Sequence, residues 1–229
     1  MPESKTWRQE LAKALRTMWL FKMLSTMGAI AVFFYAYFWV MRHPLSTVTT
    51  MPEIGIDELI SFQPQSFFLY VSLWVYVTFG TALARDLREL AAYGAASLVM
   101  AVIGLGIFML APSEAPHFAF DWHRYPSLAF LKTVDVSRNA CPSLHAAFSV
   151  FTGFVLHRHL AAARAPRGLA IANVLWGLGI LYSAIATRQH VALDVIAGSA
   201  LGILGAFVYL AAIRLPGRAG RREREPIAT

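Results

Sequence analysis

Thr187-Arg188-Gln189-His190-Val191-Ala192-Leu193-Asp194 holds the short polar break, Thr187 to His190, between two long apolar runs, residues 168–186 and 191–213. Each run approaches the roughly 20 residues that a membrane helix needs. A break this short forces the second run back antiparallel to the first, as a tight helical hairpin at one membrane face. Four further apolar runs lie at 24–41, 65–84, 91–111 and 142–160. The expected fold is therefore an all-α membrane protein, with six transmembrane helices in a helical bundle.

Composition agrees. The chain has 229 residues, 57% of them hydrophobic and 14% charged, against about a quarter charged in a soluble domain. No Gly/Ser-rich or Pro-rich linker divides it, so residues 1–215 are expected to form a single transmembrane domain with its motif-bearing core at 112–200. The basic tail, 216–229, is expected to be disordered and drawn to anionic lipid. Near the N-terminus Trp7, Leu11, Leu15, Met18 and Trp19 recur at helical spacing among Lys5, Arg8, Lys13, Arg16 and Lys22. That pattern predicts an amphipathic helix lying at the membrane interface. Met41-Arg42-His43-Pro44 offers no small-residue cleavage site after the first run, which is expected to remain.

The net charge of +7 raises the question of nucleic acid, and the placement of the cations answers it. Of the 20 Lys and Arg residues, 15 fall before the first run, between the second and third, between the fourth and fifth, or after the sixth. Arg42, Arg124, Lys132, Arg138 and Arg188 fall on the other side. This alternation is the positive-inside pattern of a multi-pass protein of the cell membrane with both termini cytoplasmic. It also places the connection 112–141 and the Thr187–His190 tip together on the extracytoplasmic face. The lone Cys141 permits no intrachain disulfide, and its place before Pro142 suits packing or capping.

Two segments on that face carry chemistry. In Ala140-Cys141-Pro142-Ser143-Leu144-His145, Pro142 suits the first position of a helix. The N–H groups of Ser143 and Leu144, with the Ser143 hydroxyl, would then form an anion site at the helix start, with His145 about one turn in. In the hairpin segment, His190 and Asp194 are four apart and would share a helix face. The carboxylate can accept one ring N–H and leave the other nitrogen free to attack phosphorus. A structural His–Asp bond is the plainer alternative. A metal site is disfavoured because no third ligand has a fixed spacing to the pair, and the neighbouring cations favour an anion. Arg188 is the first candidate for gripping phosphate oxygens, Arg138 the second, with Arg124 and Lys132 behind. His157 and His159, at the other end of the fourth run, are expected to face lipid headgroups.

These residues resemble the type 2 phosphatidic acid phosphatase superfamily, whose second and third motifs are P-S-G-H and S-R-x5-H-x3-D. Here they read Pro142-Ser143-Leu144-His145 and Ser183-Ala184 through His190 to Asp194. Leu144 replaces the motif Gly and Ala184 the motif Arg. The first motif, K-x6-R-P, is echoed by His117 and Arg124, with Tyr125 inserted before Pro126. The P-S-L-H form looks like the branch containing inositol phosphorylceramide synthases. The resemblance implies phosphotransfer through a phosphohistidine. His190 is then the nucleophile, Asp194 its orienting partner and His145 the acid/base, while Ser143, Leu144, Arg188, Arg138, Arg124 and His117 bind phosphate. It implies no metal or other cofactor. The leading expectation is an integral membrane lipid phosphate phosphatase, acting on a phosphomonoester or pyrophosphate within the bilayer. A headgroup transferase shares the same site, and a non-catalytic scaffold or lipid carrier would keep the fold alone.

Overall fold

Away from water a backbone must satisfy its own polar groups, and helices do so within one segment. The computed structural model describes residues 6–118, 121–134 and 138–214, and these are mostly helical. In chain order the helices are α1 (Trp7–Arg16), α2 (Trp19–Arg42), α3 (Gly55–Leu59), α4 (Phe67–Val71), α5 (Leu73–Ala82), α6 (Leu87–Leu110), α7 (Pro126–Val134), α8 (Leu144–Ala162), α9 (Arg167–Ala186) and α10 (Ala192–Arg214). Among them α2, α6, α9 and α10 are long and apolar enough to cross a membrane. The run at 65–84 is built as a Pro64–Ser66 turn followed by α4 and α5. The tail 216–229 lies outside the described residues.

The N-terminal stretch divides differently from its apolar spacing. A capping box between Thr6 and Gln9 starts α1, and Met18, at φ 50°, separates it from α2. Trp19 and Lys22 therefore belong to α2. Leu11 and Ala14 pack on Leu73, Tyr76 and Ile180 of the bundle. Lys22 is buried, and its ammonium donates to the carbonyls of Ala14 (2.6 Å), Ala82 (2.7 Å) and Ala84 (3.0 Å). It acts as a tie between α1, α2 and the end of α5, where the sequence pattern suggested a surface charge. His159 departs in the same way. It is buried, with Nδ1 3.9 Å from the Glu89 carboxylate, while His157 is exposed. Glu89 is itself paired with Arg85, 2.5 Å away.

The core forms where α10 packs against α6 and α8, with α8 in turn against α9 and α5. Tyr93, Met100, Phe108, Phe151 and Tyr209 fill it. Large apolar side chains such as Phe21, Met27, Val32 and Phe207 stay exposed on the outer faces, as lipid contact requires. The closest approach is between α8 and α10. A Cβ on Gly198 would overlap the Ser143 carbonyl oxygen, and one on Gly202 the Ala147 carbonyl oxygen. Small residues four apart let two backbones meet in this way. Asp194 stands one step before Gly198 on the same face of α10, so the glycine contact brings Asp194 onto the start of α8. At that end of the bundle β1 (Thr49–Thr50) pairs in parallel with β2 (Ser113–Glu114), and Ser113 bridges to Asn139. Three connections are thereby tied beside the helix starts.

Candidate active site

Ser143, not Pro142, decides where α8 begins. Its hydroxyl accepts from the Ala146 N–H (3.2 Å), making it the N-cap, and Leu144 and His145 are the first two helical residues. Pro142 lies just before the cap, not at the first helical position. The Ser143 N–H, expected to be free, donates to the Asp194 carbonyl at 3.0 Å. The helix-start donors with no intrahelical acceptor are thus those of Leu144 and His145. The Leu144 side chain lies over Gly104 of α6, where a Cβ would come within 2.5 Å of it. That glycine makes room for Leu at the motif's Gly position.

The His145 ring stacks flat on Tyr70, with centroids 3.9 Å apart and planes 4° from parallel. It also hydrogen-bonds the Tyr70 backbone and lies near His190. Its Nε2 is buried and has no partner among the described residues.

The other half is built by the way α9 stops. The Arg188 N–H reaches the Ile185 carbonyl (2.9 Å) and the Gln189 N–H the Ala184 carbonyl (3.2 Å). This is a Schellman ending with Arg188 at the left-handed position, φ 55°, where glycine is usual. The His190 N–H also donates to the Ala184 carbonyl, at 3.1 Å. His190 consequently precedes α10 and does not ride on it, so the shared helix face expected of His190 and Asp194 does not exist. A capping turn brings them together instead. Asp194 Oδ2 accepts the Val191 N–H (3.0 Å) from the first turn of α10 and lies 3.5 Å from His190 Nδ1. Asp194 is fully buried, and its place in the first turn of α10 is where a helix favours a carboxylate. His190 Nδ1 and Asp194 Oδ1 lack hydrogen bonds among the described residues. Unpaired buried polar atoms are rare in packed interiors. Here three of them belong to His145, His190 and Asp194.

The expected cations are placed less simply. Arg188 is mostly buried, and its guanidinium donates to the carbonyls of Asp57 (3.2 Å) and Ile60 (3.1 Å) and reaches the Glu53 carboxylate at 3.5 Å. It also lies over the Phe118 ring. Arg138 donates to the Met41 carbonyl at 3.3 Å. Arg124 pairs with Asp121 at 3.2 Å, and His117 lies 3.7 Å from Glu114, both largely exposed. The Lys132 side chain lies outside the described residues. Ala184, at the motif's Arg position, is completely buried against Ala146 and Ala192. Cys141 is half-buried and donates its N–H to the Ser113 hydroxyl (2.9 Å), while burial and the nearby Asp194 charge push its thiol pKa up. Among the described residues no three His, Cys, Asp or Glu side chains gather as a metal site.

A family model of the PAP2 superfamily matches residues 87–217, from the start of α6 through α10. The chain belongs to the PAP2 superfamily. No curated protein and no solved structure matches it. PAP2 proteins are phosphatases or phosphotransferases, so this is a membrane-embedded enzyme of the phosphatase type acting on lipid phosphate. Both motif segments fall inside the matched region. Tyr70 and Asp57, which contact those segments, lie ahead of it. Nothing in their sequence surroundings marks them: Tyr70 sits in an apolar run, and Asp57 reads as an ordinary acid in the first turn of a short helix.

Proposed function

We propose that this PAP2 protein is a lipid phosphate phosphatase that works through a phosphohistidine, with His190 as nucleophile, Asp194 orienting it and His145 as acid and base. The supporting observation is that His145 Nε2, His190 Nδ1 and Asp194 Oδ1 are buried without hydrogen-bond partners among the described residues, at the starts of α8 and α10, which the Ser143 N–H to Asp194 carbonyl bond joins. Asp194 holds the Nδ1 side of His190, so Nε2 attacks phosphorus. As the N–P bond forms, the ester P–O bond breaks and the departing oxygen takes a proton from His145. A water oxygen then attacks phosphorus and gives its proton to His145, and the N–P bond breaks to release phosphate and free His190.

The N–H groups of Leu144 and His145 and the Ser143 hydroxyl cradle the phosphoryl oxygens at the α8 start, with the helix dipole favouring the anion. For Arg188 to bind phosphate it would have to leave the Asp57 and Ile60 carbonyls, so its first role in this scheme is to brace the tip. Arg138 is the next cation available, and Arg124 and His117 serve substrate approach from the exposed loop. No metal enters the scheme. In the bilayer the chain makes six spans, with the Pro64–Ala82 stretch and α8 as the second and fourth. Both termini are cytoplasmic, the site is extracytoplasmic, and α1 lies at the inner interface.

The Leu144 form of the motif, accommodated over Gly104, favours a second reading in which an alcohol replaces water and a headgroup is transferred between lipids. Rapid quench of purified protein turning over dioctanoyl phosphatidate should trap acid-labile phosphate on His190. Release of inorganic phosphate with and without an alcohol acceptor separates hydrolysis from transfer. Turnover undiminished by His190→Ala in a purified preparation would mean that the activity does not arise at this site, and would discard both readings in favour of a non-catalytic scaffold or lipid carrier.

A further inference from the structure

The stretch between α2 and α5 touches both halves of the site from outside the family-matched region. Asp57 is a fully buried carboxylate with both oxygens engaged by backbone: Oδ2 accepts the Ile54 N–H (2.9 Å) and Oδ1 the Ala192 N–H (2.8 Å). Ala192 opens α10, two residues after His190. The neighbouring Val191 N–H is held by Asp194 itself. Two carboxylates from distant parts of the chain therefore grip consecutive N–H groups between His190 and Asp194. Arg188 closes the same clamp from the other side, through the Asp57 and Ile60 carbonyls, and the Gln63 N–H donates to the Ala186 carbonyl at 2.8 Å. At the start of α10 the Val191 and Ala192 N–H groups are therefore both taken by carboxylates.

Thirteen residues further on, Tyr70 covers the opposite half. A ring stacked at 3.9 Å and within 4° of parallel fixes the plane of the His145 imidazole. The hydrogen bond to the Tyr70 backbone fixes its rotation within that plane and leaves Nε2 without a partner among the described residues. The stack and the backbone bond restrain independent motions, so together they hold one ring nitrogen at one place. Catalytic groups must be held to within fractions of an ångström, and side chains locked by packing and hydrogen bonds achieve this.

We propose that Asp57 and Tyr70 are positioning residues of the active site, Asp57 setting the His190–Asp194 turn at the start of α10 and Tyr70 setting the His145 ring. The proposal rests on the phosphohistidine reading for the roles of the two histidines. Its test uses the full chain in detergent micelles, with the histidine rings labelled with 15N and assigned by comparison with His145→Ala and His190→Ala. Wild type and Tyr70→Phe should show His145 as a single tautomer, and Tyr70→Leu should convert it to an exchange-averaged mixture. With dioctanoyl phosphatidate, Tyr70→Leu and Asp57→Ala should lower kcat by about ten- to a hundredfold, with KM changed less than about twofold, and Tyr70→Phe should remain near wild type. The His190 signal should broaden or shift in Asp57→Ala and stay put in Tyr70→Leu. Histidine spectra of Tyr70→Leu and Asp57→Ala that superimpose on wild type would overturn the proposal. So would a loss of kcat in Tyr70→Phe equal to that in Tyr70→Leu. Full turnover by His190→Ala would instead strike the reading beneath it, leaving the spectral result to stand by itself.

Discussion

Gly198→Ala is the smallest change that should separate the two halves of the site. The added methyl would overlap the Ser143 carbonyl oxygen and lie 2.9 Å from the Ser143 carbonyl carbon and 3.1 Å from Ala146 Cβ. Non-bonded carbons prefer about 3.5–4.0 Å, so α8 and α10 must part by about 1 Å at this level. Neither obstacle is a flexible side-chain end: one is backbone at the capped start of α8, the other a Cβ. Overpacking of this kind costs about 1–3 kcal/mol. The better helix propensity of Ala returns up to about 1 kcal/mol of it. Function should suffer more than stability, because Asp194 lies one helical step from Gly198, and a 1 Å misplacement of reacting groups can cost about a hundredfold in rate. The assay is kcat/KM for dioctanoyl phosphatidate beside thermal unfolding in the same micelles. Gly28→Ala, where an added methyl meets nothing within 4 Å, is the control. A Gly198→Ala protein with the melting temperature and kcat/KM of the control would refute the idea that close helix contact registers the site.

Arg188 at φ 55° gives a second prediction. Both Arg188→Gly and Arg188→Ala lose the carbonyl clamp, but only glycine relieves the left-handed backbone, so the glycine variant should be more stable by about 1 kcal/mol; equal melting curves would contradict the Schellman assignment. Ala184→Arg, which restores the family's residue, should destabilise the fold sharply, because the position is fully buried among Ala146 and Ala192 and an unpaired buried charge costs several kcal/mol; a stable, more active variant would show that the site can open to admit it. For orientation, in a Cys141→Ala background, cysteine at position 130 should react with an impermeant maleimide from outside and cysteine at 165 only after permeabilisation, and the reverse pattern would place the site in the cytoplasm.

How much of this was legible beforehand depended on the range over which each cause acts. Helix existence follows from local apolar content, so five of the six apolar runs became single helices within a few residues of their expected ends, while the run at 65–84 became a turn and two short helices. The burial of Lys22 and His159 is not legible locally because it depends on partners, the Ala82 and Ala84 carbonyls and Glu89, that lie dozens of residues away in sequence. The His190–Asp194 spacing anticipated that the two side chains would meet, but by the wrong route. Four residues apart suits a helix face, but it equally suits a residue before a helix and the carboxylate that caps its first turn.

By itself the sequence determined the apolar runs, the hairpin break, the alternation of cations and the ordered Ser-His and His-Asp spacings, all properties of residues near one another along the chain. Only the tertiary structure decided that Ser143 caps α8, that Arg188 braces the tip, that Asp57 holds the start of α10 and that Tyr70 stacks on His145. Those outcomes depend on a glycine face drawing α10 onto α8 and on buried carboxylates finding distant backbone donors. Such pairings form only when packing has brought remote segments together, and no periodicity records them in advance.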